Sequence, residues 1–142
     1  MNLRPSLLDD LGLLPTIGWF VREYQKIYPS IRIKKQTEID ETQVLDPLKA
    51  VVYRILQEAM NNIAKHSKAN LVSTSLRKKD DRIELVIEDN GIGFDTESIK
   101  NGFGLGSMRE RAEFSVGSFD IESVKGKGTV MRASWPIEQL SL

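Results

Sequence analysis

Two spacings of apolar residues alternate along the chain and divide it into helices and strands. Segments in which apolar residues recur every three or four positions predict amphipathic helices, and segments in which they alternate with polar residues predict half-buried strands. The predicted elements are helix 14–27, strand 31–34, helix 48–66, strands 71–77 and 82–88, helix 105–114, and strands 118–124 and 129–135.

The long helix 48–66 has the clearest pattern, with Asp46 as its predicted N-cap and Pro47 at its first position. Its predicted buried stripe consists of Leu48, Val52, Ile55, Leu56, Ala59 and Ile63. Short turns at 78–81 and 125–128 join consecutive strands, which predicts antiparallel pairs. The element order predicts an α+β fold, with a mainly antiparallel mixed sheet of about five strands and three helices on one face.

Composition removes several kinds of chemistry. The 142 residues suit one domain, and the absence of cysteine excludes a disulfide framework, a thiolate nucleophile and a cysteine-based zinc site. His66 is the single histidine, so a site built from several histidines is excluded as well. Lys and Arg number 20, as do Asp and Glu, which argues against an extended surface for nucleic acid. No apolar run is long enough to span a bilayer, and we expect a cytoplasmic segment without membrane contact.

The first candidate site lies near the end of the long helix, in Gln57-Glu-Ala-Met-Asn-Asn-Ile-Ala-Lys-His66. Helical spacing places Glu58, Asn62, Lys65 and His66 along one stripe at the edge of the apolar face. An amide oxygen such as that of Asn62 is a hard ligand for Mg²⁺, and Glu58 could orient or deprotonate a nucleophile. A solvated polar stripe has the same pattern and is an open alternative.

The second candidate site is Glu88-Asp-Asn-Gly-Ile-Gly-Phe94, at the end of the strand 82–88. Ile83, Leu85, Ile87 and Asp89 alternate along it, so Asp89 closes a row of apolar residues on the face that helices cover. Its carboxylate can accept a hydrogen bond from an exocyclic amine, and the glycines allow a flat base to approach the backbone. A plain Asp-Asn-Gly turn explains the same residues equally well.

The third candidate site is Asn101-Gly-Phe-Gly-Leu-Gly-Ser-Met-Arg-Glu-Arg111, in which a glycine-rich turn runs into a helix. Free N–H groups at a helix N-terminus favour phosphate. No Gly-Lys-Ser/Thr follows, so this is not a Walker loop, and no βαβ unit surrounds it as a dinucleotide fingerprint requires. A mobile lid or a helix cap accounts for the glycines in the alternative reading.

The order and spacing of these segments resemble those of one protein family. Glu58-x₃-Asn62, Asp89-x-Gly91-x-Gly93, Gly102-x-Gly104-x-Gly106 and Gly126-x-Gly128-Thr129 resemble the N, G1, G2 and G3 boxes of the GHKL ATPase superfamily, over residues 45–136. Residues 3–13, 57–66 and 104–112 are most similar to two-component sensor histidine kinases of the nitrate-sensor and DesK-like class. The resemblance implies a Bergerat fold, a two-layer α/β sandwich that holds ATP between the sheet and the helices beneath a lid.

The resemblance also implies a role for each matching residue. Asn62 would bind Mg²⁺ and act with Glu58 in catalysis, Asp89 would meet the adenine amino group, and Thr129 would support the adenine site. Gly91 and Gly93 would border the base. The residues expected near the phosphates are Glu58, Lys65, His66, Gly102, Gly104, Leu105 and Gly106.

The implied activity is transfer of the ATP γ-phosphate to a histidine on a dimerisation domain, for relay to a response regulator. In the family that histidine lies upstream of the segment matching residues 1–13, and His66 belongs to the N box. We therefore interpret residues 1–13 as a leader from a missing phosphoacceptor domain and residues 14–142 as the catalytic, ATP-binding domain of a larger kinase, whose membrane anchoring stays open. The alternatives are a stand-alone anti-sigma-factor serine kinase and a nucleotide-binding regulatory module without transfer.

The sequence departs from the family pattern after Arg111, where Phe114-Ser-Val-Gly117 replaces a Leu-Gly-Gly-like turn. The predicted lid, residues 96–101, is short, as in the DesK-like class.

Overall fold

The computed structural model describes residues 6–95 and 104–137. Its elements are α1 (Ser6–Leu11), α2 (Leu13–Ile27), β1 (Arg32–Glu38), a 3₁₀ turn (Glu41–Gln43), α3 (Asp46–Asn62), a π-helical turn (Ile63–Ser67), β2 (Leu71–Lys79), β3 (Arg82–Asp89), α4 (Leu105–Phe114), β4 (Ser118–Val124) and β5 (Gly128–Pro136). Across these two described ranges, no helix has both the length and the apolar character needed to cross a membrane.

The five strands form one sheet in the order β1-β2-β3-β5-β4. The pair β1–β2 is parallel and the other three pairs are antiparallel. A parallel pair needs a crossover connection, and α3 supplies it between β1 and β2. The predicted mixed, mainly antiparallel sheet of about five strands is therefore confirmed.

One face of the sheet is buried beneath the helices. On β3 the residues Ile83, Leu85 and Ile87 are at most 2% exposed, as the alternation along this strand predicts. The helices α2, α3 and α4 contact the strands, and Trp135 of β5 and Phe20 of α2 are fully buried in the same core. The three predicted helices thus cover one face of the sheet.

Local differences from the sequence predictions have identifiable causes. Leu45 is the N-cap of α3 and Asp46 its first residue, because the carbonyl of Leu45 accepts the first helical hydrogen bond, from the N–H of Lys49 at 3.1 Å. The Asp46 carboxylate forms an ion pair with Lys49. The regular α-helix ends at Asn62, short of the predicted end at His66, and continues as the π-helical turn. Strand β1 extends beyond its predicted end at residue 34, to Glu38, because it pairs with β2 along its whole length despite its polar sequence.

Residues just before the predicted first helix also take part in the core. Leu8 of α1 is 8% exposed and Leu13 is fully buried. The helix α1 has six residues, which is too short for a helical period to show in the sequence. Whether residues 1–13 derive from a preceding domain stays a prediction.

Glu41 connects three elements near the start of α2. Its carboxylate accepts hydrogen bonds from the backbone N–H of Leu13 at 2.6 Å and of Leu14 at 2.9 Å, and it pairs with Lys49 of α3 at 3.0 Å. These N–H groups belong to the first turn of α2, whose N-cap, Gly12, has no side chain to satisfy them. Burial alone would raise the pKa of Glu41, but the hydrogen bonds from Leu14, Leu13 and Lys49 outweigh it and lower the pKa.

We expect Glu41→Gln to lower the free energy of unfolding at pH 7 by about 1–2 kcal/mol, because charge-assisted hydrogen bonds to α2 and Lys49 are lost. A carboxylate whose pKa is lowered by folding stabilises the protein above its unfolded pKa, and this contribution disappears as the pH falls through the folded pKa. The difference between wild type and variant should therefore shrink from pH 7 to about pH 3, as measured by urea unfolding. Glu113→Gln, on the exposed side of α4, is the matched control and should change stability little.

Candidate functional site

A row of polar side chains closes the buried face of the sheet at one edge. Asp89 of β3 lies opposite Thr129 of β5, and Thr129 lies opposite Ser123 of β4. The next inward-facing pair in the same register is Ile87 and Met131, which belong to the core. Asp89 and Thr129 are each only 5% exposed, so the row lies beneath the adjoining surface.

The electrostatic environment of Asp89 is unfavourable for its charge. Burial raises its pKa, the hydrogen bond from the backbone N–H of Gly91 to Oδ1 at 2.7 Å works in the opposite direction, and the neighbouring charge of Glu88 adds to the rise. A carboxylate has two oxygens and about four sites for donors, so Asp89 can accept further hydrogen bonds. A ligand that donates an N–H to this group would replace the water lost on burial.

Asp89 and Thr129 line a mainly apolar cavity of about 180 Å³. One wall comes from the end of α3 and the π-helical turn, another from the loop after β3, and the base from the sheet. The lining residues are Asn62, Ile63, His66, Ser67, Asp89, Ile92, Gly93, Phe94, Thr129 and Met131. An apolar cavity with one carboxylate and one hydroxyl at its edge suits a planar heteroaromatic ring.

A second, polar cavity of about 350 Å³ adjoins the first and shares Asn62 with it. Its lining residues are Arg54, Gln57, Glu58, Asn61, Asn62, Lys65 and Arg111. Three of these side chains are cationic and one is anionic, so the cavity suits a ligand with several negative charges.

The π-helical turn divides the predicted polar stripe between the two cavities. A π-helical turn contains more residues than an α-helical one, and side chains within it point in different directions from those of a continuous α-helix. Glu58 and Lys65 line the polar cavity, His66 lines the apolar one, and Asn62 lines both. The structure thus brings these four predicted residues to one region, although not to one face.

The glycines after β3 allow two backbone segments to come into contact. A Cβ atom on Gly91 would collide with the carbonyl group of Ser67, and the neighbouring N–H of Ile92 donates to that carbonyl at 2.7 Å. Gly93 has a φ of +64°, and a Cβ there would collide with the carbonyl of Val124. The close contacts between protein segments are therefore sufficient to require glycine at both positions, without a bound ligand.

The start of α4 lies beside Glu58. Gly104 is the N-cap of this helix with a φ of +69°, and a Cβ on it would collide with the Glu58 carboxylate. Leu105 is buried, whereas Gly106 has open space around it. Gly102 and the predicted lid, residues 96–101, lie outside the described residues.

Two further side chains make contacts that the sequence pattern does not predict. Arg109 is engaged with β4, since it donates to the carbonyl of Phe119 at 2.8 Å and lies 5.5 Å from the centre of its ring. Ser123 is absent from the predicted site, yet its hydroxyl lies 2.7 Å from that of Thr129. The predicted turn 125–128 would pair Val124 with Thr129. The structure pairs Val124 with Gly128 instead, so that Ser123 lies opposite Thr129.

We expect Gly91→Ala to lower the free energy of unfolding by about 1–3 kcal/mol, because the new methyl group forces Ser67 and the loop apart. Gly106→Ala is the control: its Cβ meets no atom within 4 Å, and alanine favours the helix by up to about 1 kcal/mol. Urea unfolding measures both. Equal stability of Gly91→Ala and wild type would contradict the close contact.

Comparison with known proteins identifies the family of the chain. The sequence profile of the family HATPase_c, described as "Histidine kinase-, DNA gyrase B-, and HSP90-like ATPase", matches residues 49–139. The chain is 34% identical to the oxygen sensor histidine kinase NreB of Staphylococcus carnosus, over 96% of this chain and 40% of that protein. It is 35% identical to the sensor histidine kinase LiaS of Bacillus subtilis, over 96% of this chain and 38% of that protein.

Solved structures show the same fold. The ATP binding domain of PrrB from Mycobacterium tuberculosis superposes with a TM-score of 0.67 at 21% identity, covering 83% of this chain and 88% of that chain. The blue-light activated histidine kinase of Erythrobacter litoralis EL346 superposes with a TM-score of 0.73 at 16% identity, covering 90% of this chain and 42% of that one. These matches confirm the predicted α+β architecture.

The chain spans about two fifths of the length of NreB and LiaS. The predicted resemblance to the GHKL superfamily and to sensor kinases of the DesK-like class is confirmed. The chain therefore belongs to the HATPase_c family and is a catalytic, ATP-binding domain of the sensor histidine kinase type.

Proposed function

We propose that the domain binds ATP together with Mg²⁺ and transfers the γ-phosphoryl group to a histidine on a dimerisation domain of its parent kinase. The observation that supports this most directly is the position of Asp89, a buried carboxylate at the edge of an apolar cavity that adjoins a cationic one. The first cavity fits the base of a nucleotide and the second fits its phosphates.

At the base end, Asp89 would accept a hydrogen bond from the exocyclic amine of adenine. Its carboxylate is oriented by the N–H of Gly91, and Thr129 lies beside it on the neighbouring strand. Ile63 and Met131 line the cavity and offer apolar surface against which a ring can pack. A buried carboxylate favours a donor over an acceptor, so an amino group should be preferred to a carbonyl at this position.

At the phosphate end, Asn62 is the residue suited to Mg²⁺. The described parts of the chain contain no group of three or more acidic or histidine side chains that could hold a metal ion. Mg²⁺ commonly keeps few protein ligands and binds phosphate oxygens as well, so a single amide oxygen fits the ion. When bound, the ion would neutralise charge on the transferring phosphoryl group.

The other residues of the polar cavity would position the phosphates. Lys65 supplies a positive charge there, while Glu58 lines the same cavity and lies beside Gly104 at the N-terminus of α4. The N–H groups of the first turn of α4 are donors of the kind that bind phosphate oxygens. Glu58 would orient the incoming nucleophile or accept its proton.

The phosphoacceptor is expected outside this chain. His66 lines the base cavity on the π-helical turn, where its side chain would lie against the nucleotide itself. The chain contains no other histidine. A histidine from the parent protein would approach from the polar cavity, and a response regulator would receive the phosphoryl group from it.

Asp89→Asn should weaken ATP binding about tenfold or more, because a charge-assisted hydrogen bond is lost. The unliganded variant should be at least as stable as wild type, because the buried asparagine carries no charge that burial would disfavour. Folding raises the pKa of Asp89, so the contribution of this group to the free energy of unfolding of the wild type is lost as the pH rises through the folded pKa. The variant has no titrating group at this position and lacks this dependence. Calorimetry with ATP and GTP, and urea unfolding against pH, measure these effects.

Asp120→Asn, at an exposed position of β4, is the control and should change neither nucleotide binding nor stability appreciably. Comparable binding of ATP and GTP by the wild-type chain would contradict the assignment of Asp89.

Transfer itself is tested by mixing the 142-residue chain with ATP, Mg²⁺ and the dimerisation helices of the parent kinase, and measuring acid-labile phosphohistidine on the helices. Asn62→Asp should reduce transfer about a hundredfold while changing ATP affinity less than about fivefold, because a misplaced metal affects the transition state more than the base. Normal nucleotide binding without any phosphohistidine would contradict transfer and leave nucleotide binding as the function.

A further inference from the structure

The hydroxyl group of Ser123 lies at the centre of a small hydrogen-bond network behind the base cavity. It accepts the backbone N–H of Phe94 at 2.8 Å, lies 2.7 Å from the hydroxyl of Thr129, and lies 3.3 Å from the carbonyl oxygen of Gly128. Thr129 lines the cavity, whereas Ser123 is not among its lining residues. Any influence of Ser123 on a ligand must therefore pass through Thr129 or Phe94.

The distances limit the arrangements of the hydroxyl protons. Ser123 has a single proton, which it can donate either to Thr129 or to the carbonyl of Gly128. Hydrogen bonds between oxygens are typically about 2.7–2.8 Å long and rarely exceed about 3.0 Å. The contact with Thr129 lies within this range and the contact with Gly128 lies beyond it. Either hydroxyl can donate across the 2.7 Å contact; when Ser123 donates to Thr129, the Thr129 proton is left for a different partner.

We propose that Ser123 is a positioning residue that makes the Thr129 hydroxyl a donor in the base cavity and so sets the choice of base. Asp89 then offers an acceptor and Thr129 a donor on neighbouring strands, at cross-strand positions. A 6-aminopurine carries a donor, its amino group, next to an acceptor, its ring nitrogen N1. A 6-oxopurine carries the reverse pair, a carbonyl oxygen next to an N–H.

The proposal rests on the proposed function, because it assumes that the cavity holds the base of a nucleoside triphosphate. It adds a residue outside the N, G1, G2 and G3 boxes that would act on specificity and not on phosphate transfer. If Thr129 donated to Ser123 instead, its lone pairs would face the cavity, and the preference for the amino edge would rest on Asp89 alone. The two arrangements therefore predict different effects of removing the Ser123 hydroxyl.

The test compares the affinities of ATP and GTP for wild type, Ser123→Ala, Ser123→Thr and Thr129→Val, measured by competition against a fluorescent ATP analogue. Ser123→Ala should weaken ATP about 3–10-fold and GTP less than about twofold, since a hydrogen bond specific to the amino edge loses its orientation. Ser123→Thr keeps the hydroxyl and should keep the wild-type ratio. Ser118→Ala is the matched control on the outward, exposed side of the same strand.

A double-mutant cycle separates positioning from simple structural support. In the Thr129→Val background, Ser123→Ala should leave the ratio of ATP to GTP affinity unchanged, because there is no longer a hydroxyl to orient. A structural role would instead weaken both nucleotides equally and would persist in that background. If Ser123→Ala does not fold, Ser123→Cys is used, whose thiol is only a weak donor and should also lower the ratio.

The outcomes distinguish this inference from the function on which it depends. A wild-type chain that binds neither nucleotide contradicts both. A wild-type chain that prefers ATP, together with a folded Ser123→Ala variant of unchanged preference, overturns the role of Ser123 alone. Equal weakening of ATP and GTP by Ser123→Ala overturns it too.

Discussion

The close contact between the backbone at Gly91 and the carbonyl of Ser67 is the constraint on which the candidate site depends. It joins the loop after β3 to the end of the π-helical turn, and the hydrogen bond from Ile92 to Ser67 at 2.7 Å fixes the distance between them. Asp89 lies two residues before Gly91, and His66 directly precedes Ser67. The two walls of the base cavity are therefore held together at a point immediately beside the groups that line it, and a side chain at position 91 would separate them.

The π-helical turn explains how one helix serves two kinds of ligand surface. The hydroxyl of Ser67 donates to the carbonyl of Ile63 at 2.8 Å and accepts the N–H of Ala69 at 3.0 Å, so that the turn closes on itself. Lys68 then leaves the helix with a φ of +57°. Tyr24 of α2 donates its hydroxyl proton to the carbonyl of Met60 at 2.8 Å, just before the turn, which anchors the end of α3 against the core. Asn62, at the junction, faces both cavities as a result.

The sequence predicted those features that depend on local pattern, and failed where tertiary contacts decide. Alternation along β3 placed Asp89 at the edge of the helix-covered face, and the bounds of α4 were predicted to the residue. The π-helical turn has no signature in residue type, so helical spacing alone predicts a helix to His66 and places four polar side chains on one stripe. The part of β1 beyond residue 34 is polar and exposed, and its pairing with β2 makes it a strand. Only the register of β4 against β5 identifies Ser123, because its contact is with Thr129 across the hairpin and not with its own neighbours in sequence.

Two carboxylates show how the fold treats stability and binding differently. Glu41 has its charge satisfied by two backbone N–H groups and Lys49, and its pKa is lowered accordingly. Asp89 lies at the cavity, and there the hydrogen bond from Gly91 does not compensate for burial, so that its pKa is raised. Folding thus gains from the ionised form of Glu41 and is opposed by that of Asp89. A bound ligand that donates a hydrogen bond to Asp89 would offset the cost of burying its charge. A ligand without such a donor would not, and this difference would favour a base with an amino group. The carboxylate that destabilises the unliganded fold is, on this argument, the one best placed to recognise a base.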